Sequence, residues 1–340
     1  MTWHSKAPLR IGLAGGGTDV SPYCNLYGGV VVNATISLYA YAAIELLPDN
    51  IIVLKASDIK ERQQFDFSSH LQIDGKLDLL KAVYNRISKD YAKPAAGFKL
   101  STFTDAPAGS GLGTSSTLVV AIVGAFKEML QLPLSNHQIA QYAWDIERND
   151  LKFSGGRQDQ FAAAYGGFNF MEFVTNESVC VTAIHTTPEK ILTLQQNLLL
   201  YYTDTNRNSA LIIDEQVKNV KDNNRKSIEA MHHLKEQASL MKDVLVNGDF
   251  DDLGPLLHFG FTHKKNMAAN ISNPAIETLY SAALQAGATG GKISGAGGGG
   301  FMVFYCPHGT KHSVANALEA FGGQAKEYSF VSKGLQTWTE

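Results

Sequence analysis

Apolar positions recur along this chain with two different periods, and the switches between them outline its elements. Arg10 to Leu13 is a short apolar run that predicts a strand ending at Gly15-Gly16-Gly17. Val30 to Glu45 is rich in branched and aromatic residues and reads as β structure. Ile51 to Ala56 and Gln64 to Phe67 read as further strands. From Leu77 to Asp90 the spacing becomes helical, with Leu77, Leu80, Val83, Tyr84 and Ile87 in register. Gly97 to Phe103 returns to alternation and leads into a glycine-rich segment. Thr117 to Leu130 is apolar on most sides and predicts a buried helix, and Ser135 is placed to cap another from His137 to Arg148. Alternation resumes from Phe168 to Phe173.

Composition shifts near Thr186-Thr187-Pro188. Beyond it, Leu198 to Tyr202 predicts a strand, Asn208 to Asn247 a long helical region, and Pro274 to Gln285 a further helix. A second glycine run, Gly295-Ala296-Gly297-Gly298-Gly299-Gly300, passes directly into the strand-like Phe301 to Tyr305. A chain of 340 residues exceeds what one core usually serves, so two α+β lobes are expected, 1–190 and 191–340.

The composition, 44% hydrophobic and 18% charged, is that of an ordinary globular protein. A net charge of −3 without a block of five basic residues gives nucleic-acid binding no electrostatic support. Cys24, Cys180 and Cys306 lie far apart without C-x-x-C spacing and read as reduced thiols. The N-terminus lacks a signal-peptide apolar region, and the apolar runs are too short to span a bilayer. These features predict a cytoplasmic protein without a membrane or nucleic-acid partner. The histidines, His258 and His263 included, show no metal-ligand spacing.

The segment from Asp105 to Ser116 carries the chemistry. Glycines at 109, 111 and 113 precede Thr114, Ser115 and Ser116 at the start of an apolar helix. Such a loop lets backbone amides approach a ligand, and a helix N-terminus offers unpaired N–H groups with partial positive charge. Together they suit a phosphate. A Walker loop is excluded because the Gly-Lys-Ser/Thr ending is missing. A protein kinase is excluded because His-Arg-Asp and Asp-Phe-Gly are absent. Gly295, Gly297 and Gly300 spell G-x-G-x-x-G, but a strand follows where a dinucleotide fold needs a helix. A phosphate cradle lacking its own lysine calls for a magnesium ion, held by a loop hydroxyl and a carboxylate among Asp145, Glu147, Asp150 and Asp159.

Pro8-Leu9-Arg10-Ile11 through Gly15-Gly16-Gly17-Thr18-Asp19, Pro107 to Ser116, and Ser294 to Gly300 resemble, in order and spacing, the three motifs of the GHMP small-molecule kinases. Tyr27-Gly28-Gly29, Asn33-Ala34-Thr35-Ile36 and Gly156-Arg157-Gln158-Asp159-Gln160 are more particularly similar to the branch acting on D-glycero-D-manno-heptose 7-phosphate. The resemblance implies an N-terminal lobe like domain 2 of ribosomal protein S5 and a ferredoxin-like C-terminal lobe. It implies ATP with its phosphates over Pro107, Gly109, Ser110, Gly111, Leu112, Gly113, Thr114, Ser115 and Ser116. Mg²⁺ would be held by Ser115, with Ser116 as rival, and by Glu147. Asp159 would be the catalytic acid, with Arg10 beside it, and Thr18, Asp19, Gly297 and Gly298 would contact the sugar.

The implied activity is phosphorylation of the anomeric hydroxyl to a 1,7-bisphosphate. A kinase for an unphosphorylated sugar, such as L-fucose or a galactose-type hexose, and a non-catalytic sugar or nucleotide sensor are the alternatives. A distal phosphate needs a further cation. Arg157 is the first candidate, ahead of Lys152, Arg207, Lys264, Lys265 and Lys292. Lys6 stands where close relatives would carry arginine, which keeps the charge but not the fork. The sequence does not determine the oligomeric state.

Overall fold

The alternation in the long strands is the imprint of a sheet covered on one face and, over part of its length, on both. The computed structural model describes residues 1–67, 70–91, 94–174, 178–204 and 209–340. Strands β1 (Thr2–Ala14), β2 (Gly29–Leu46), β3 (Ile51–Ala56), β4 (Glu61–Asp66), β5 (Phe98–Thr104), β6 (Phe168–Phe173) and β7 (Val179–Ala183) belong to one sheet. A second sheet holds β8 (Leu198–Tyr202), β9 (Gly290–Ile293), β10 (Phe301–Tyr305) and β11 (Gln324–Ala325) in the order β11-β8-β10-β9. The last strand, β12 (Gln336–Thr339), returns to the first sheet, whose order is β12-β1-β2-β5-β3-β4, with β6 also on β2 and β7 on β6. Only β3 and β5 pair in parallel among the described ladders.

Along β2 every residue from Gly29 to Ile36 is buried, and strict alternation starts after it. The buried half has two apolar neighbours. Val31 belongs to the apolar cluster that includes α2, α3 and α5, whereas Val30, Val32, Ala34 and Ile36 share a second cluster with Ala238 and Met241 of α8, Leu200 of β8 and Val303 of β10. One apolar layer therefore joins the two sheets.

The helices are α1 (Tyr23–Tyr27), α2 (Asp78–Asp90), α3 (Thr114–Leu130), α4 (Asn136–Asp145), α5 (Gln158–Tyr165), α6 (Pro188–Asn197), α7 (Ser209–Lys221), α8 (Arg225–Asn247), α9 (Leu253–Lys264), α10 (Pro274–Gln285) and α11 (Lys311–Glu319). The predicted His137–Arg148 helix is α4 followed by a π-helical turn, Ile146–Asp150, and Ser135 caps it with a reciprocal Gln138 contact. The expected 208–247 helix is two. Asn224 ends the run, its side chain accepting from the Ser227 amide to start α8; residue 208 lies outside the described residues. A division at 190/191 is kept as a proposal; β12, from the second segment, pairs with β1 in the first.

The β1–β2 register shifts between Pro8 and Arg10 and again between Gly12 and Ala14. In that gap the Arg10 amide donates to the Leu112 carbonyl (3.1 Å) instead of to β2. A bulged strand re-aims its side chains, and this one ties Arg10 to the glycine loop.

Candidate active site

Gly109, Gly111 and Gly113 all have positive φ (77°, 90° and 79°), and Gly113 is the residue from which α3 starts. The loop is pressed against the second glycine run. A Cβ on Gly295 would come within 2.7 Å of the Gly111 Cα, and one on Gly300 would collide with the Ser110 carbonyl. Ser294 donates from its hydroxyl to the Gly111 carbonyl (2.8 Å), and the Phe301 amide donates to the Ser110 carbonyl (2.8 Å). Gly295 and Gly300 are thus required where one backbone lies on another.

Beside this junction is a cleft of about 470 Å³, within the usual range for a small-molecule site. The chain before residue 190 lines it with Gly109, Gly111, Gly113, Thr114, Ser115, Ser116, Glu147, Asp159, Arg10, Asp19 and Lys152. The chain after it supplies Ser209, Asp214, Gln216, Lys264 and Gly295. Ser154 and Asp214 join these two segments by a hydrogen bond.

Several expected residues stand elsewhere. Pro107 is exposed, Ser110 is buried with its hydroxyl 3.2 Å from that of Thr114, and Leu112 is core. Thr18 is fully buried: its hydroxyl donates to the Gly15 carbonyl (2.8 Å) and accepts from the Val30 amide (3.0 Å), closing the turn onto β2. Gly297 packs on Ile271, whose carbonyl accepts from the Gly298 amide at 2.6 Å, and neither glycine lines the cleft. Arg157 is also outside it. Its buried guanidinium lies 4.4 Å over the Trp144 ring, beside an adjoining cavity. Lys265 pairs with Glu277 (3.0 Å), and Arg207 lies outside the described residues.

Arg10 directs Nε and Nη2 to Asp159 Oδ1 at 2.7 and 2.5 Å, and Nη1 to the Gly111 carbonyl at 2.6 Å. Asp159 lies in the first turn of α5, against Gly113. Asp19 is buried and accepts four hydrogen bonds: from the amides of Gly17 (3.1 Å), Arg157 (2.9 Å) and Gln158 (3.1 Å), and from the Gln158 side chain (3.2 Å). It thereby anchors the start of α5.

Glu147 is buried in the π-helical turn, and that burial pushes its carboxyl above the usual range against the opposing effects of Arg148, Gln160 and Ser116. Ser116 donates from Oγ to Glu147 Oε1 (3.0 Å), while Ser115 opens half-exposed onto the cleft. Gln160, which sequence reasoning did not single out, donates to Glu147 Oε2 (2.5 Å) and to Ser116 Oγ (3.0 Å). Its signal was faint: an amide ending the Gly156–Gln160 motif, just before Phe161 and three alanines.

The model of the GHMP kinases N-terminal domain matches residues 78–167, and that of the C-terminal domain matches 240–324. The D-glycero-alpha-D-manno-heptose 7-phosphate kinase of Campylobacter jejuni is 42% identical over 337 residues, 99% of each chain. The crystal structure of a D-glycero-D-manno-heptose 1-phosphate kinase from Bacteroides thetaiotaomicron shares 40% identity with a TM-score of 0.84, covering 99% of both chains. A galactokinase from Lactococcus lactis, complexed with galactose, has the same fold at 18% identity and a TM-score of 0.77, covering 98% of this chain and 95% of its own. With both halves matched and relatives this similar along the whole length, the chain belongs to the GHMP kinase family.

Proposed function

We propose that this chain is a sugar 1-kinase that transfers the γ-phosphoryl group of ATP to the anomeric hydroxyl of D-glycero-D-manno-heptose 7-phosphate, giving the 1,7-bisphosphate. The observation that carries the reading is the Arg10–Asp159 pair, set against the Gly113 start of α3. The 42% identity to the Campylobacter jejuni enzyme supports the heptose phosphate as substrate.

The triphosphate lies over Gly109–Ser116, where the N-terminal amides of α3 and its dipole favour the negative charge. Arg10 occupies Oδ1 of Asp159 and leaves Oδ2 to accept a proton. The anomeric oxygen bonds to the γ-phosphorus as the bond to the ADP oxygen breaks, and the hydroxyl proton passes to Asp159. Arg10 also offers positive charge to the phosphoryl group in transit.

A magnesium ion fits the remaining donors. Glu147 is a buried carboxylate whose one paired cation, Arg148, stands 3.9 Å away, Ser115 and Ser116 add hydroxyls, and the buried Gln160 Oε1 has no hydrogen-bond partner. Oxygen-only ligands in this small number suit Mg²⁺ bound to a nucleotide. When bound, it would supply positive charge that partly neutralises the ATP phosphates. The reaction is assigned to the cytoplasm, where ATP is available; no helix among the described residues is long and apolar enough to cross a membrane.

A coupled ADP-release assay over phosphorylated and free heptoses and hexoses tests the reading. Preferential turnover of heptose 7-phosphate is expected. Equal turnover of the free heptose would reject the 7-phosphate assignment, and no ADP release with any sugar would reject the kinase.

A further inference from the structure

Two lysines outside the phosphate loop are buried on the other side of Arg10 and Asp159. Lys264, at the end of α9, is 3% exposed, lines the cleft, and donates from Nζ to the Gly16 carbonyl (3.3 Å). Lys292, on β9, is buried behind it and donates to the Gly12 carbonyl (2.6 Å). Burial, reinforced by the like charges of Lys264 and Arg10, holds the Lys292 ammonium well below the usual lysine range. A buried cation beside two others gains from an anion brought in from outside.

Both ammoniums lie against backbone that carries no side chain. A Cβ on Gly16 would stand 3.8 Å from Lys264 Nζ and from Gln158 Nε2. One on Gly12 would stand 3.7 Å from Lys292 Nζ and 3.8 Å from Gln158 Oε1. Gln158 precedes Asp159 in the same helical turn, so one element links this region to the reacting centre. A further donor stands nearby. Gln216 of α7 lines the cleft, is 2% exposed, lies 3.6 Å through Oε1 from a Cβ position on Gly17, and its buried Nε2 has no hydrogen-bond partner. An orphaned buried donor is costly unless a ligand accepts from it.

We infer that Lys264, backed by Lys292 and joined by Gln216, receives a second phosphate, the one the sugar carries on its exocyclic arm away from the anomeric carbon. This rests on the sugar-kinase reading and extends it to the residues that recognise a sugar phosphate. Arg157 is not part of this site, because its guanidinium is stacked on Trp144 outside the cleft. The other source of a phosphate here is the γ-phosphate of ATP, and the same experiment separates the two.

Wild type, Lys264→Met, Lys264→Arg and Gln216→Met are compared in steady-state turnover of heptose 7-phosphate, of the free heptose, and of varied ATP. Binding of heptose 7-phosphate without ATP is measured in parallel by calorimetry. Lys264→Met should lower the kcat/KM ratio of phosphorylated over free heptose at least about tenfold, mainly through KM, since a charge-assisted contact is lost. Lys264→Arg should restore part of it. Gln216→Met should lower the same ratio without lowering the melting temperature, because it deletes an unpaired donor. A rise in KM for ATP, or equal losses with both sugars, overturns the inference and leaves the kinase reading standing. Lys264-dependent binding of the sugar phosphate without any turnover would sustain the inference while the kinase reading fell.

Discussion

Arg10 places two nitrogens on a single oxygen of Asp159, and the other oxygen of that carboxylate faces Gly113 at the start of α3. One side chain thus orients the acid and ties it to the loop, since Nη1 of Arg10 also reaches the Gly111 carbonyl. Asp159→Asn preserves shape and removes the proton acceptor. Its kcat should fall by about 10² to 10⁴, the usual worth of a positioned base, with ADP affinity kept. Unchanged turnover would remove Asp159 from the chemistry.

Gly113 and Gly75 separate backbone strain from active-site displacement. Both have positive φ (79° and 91°), so alanine at either costs about 1–2 kcal/mol. A Cβ on Gly113 would lie 2.9 Å from Asp159 Cγ, whereas one on Gly75 meets nothing within 4 Å. Denaturation midpoints should fall for both variants. Only Gly113→Ala should lose activity, by about tenfold or more, for a displaced catalytic group.

Glu147→Gln should have opposite effects on stability and on metal response. The folded state raises the Glu147 pKa above its ordinary 4.5, so it binds that proton more tightly than the unfolded chain does. The resulting stability is complete below pH 4.5 and is lost as pH rises through the raised value. Metal-free Glu147→Gln should therefore melt higher than wild type near neutral pH, the gap closing toward pH 4.5. Added Mg²⁺ should stabilise wild type more than the variant. A variant that melts lower at neutral pH, or gains as much from Mg²⁺, contradicts the assignment.

Asp19 accepts from the Gly17 amide and from three N–H donors of Arg157 and Gln158 at the start of α5, the turn that carries Asp159. Asp19→Ala strands these donors and should cost about 1–3 kcal/mol in chemical denaturation, with a parallel loss of kcat as Asp159 shifts. If the variant instead kept its stability and lost only sugar affinity, Asp19 would act on the sugar directly.

Periodicity made β2, α3 and both glycine runs legible, because alternation and helical spacing record along one dimension which side of an element is buried. Motif resemblance added Arg10, Glu147 and Asp159, whose residue types at ordered spacings are specific to one chemistry. Gln160 gave only a faint signal, as the last residue of the Gly156–Gln160 motif, and Gln216 gave none, since a buried amide is written like any solvated one. Nor does the chain announce that β12 closes on β1, that Arg157 turns to Trp144, or that Gly295 rests on Gly111. Those depend on which distant backbones meet. A glycine read locally as a turn or a ligand contact is, at Gly295 and Gly300, the space two loops need to lie against each other. The amino-acid order therefore determined most of the long elements and named the groups proposed to react. Only tertiary packing decided which side chains share the cleft, because burial, charge proximity and backbone contact arise between segments far apart in sequence.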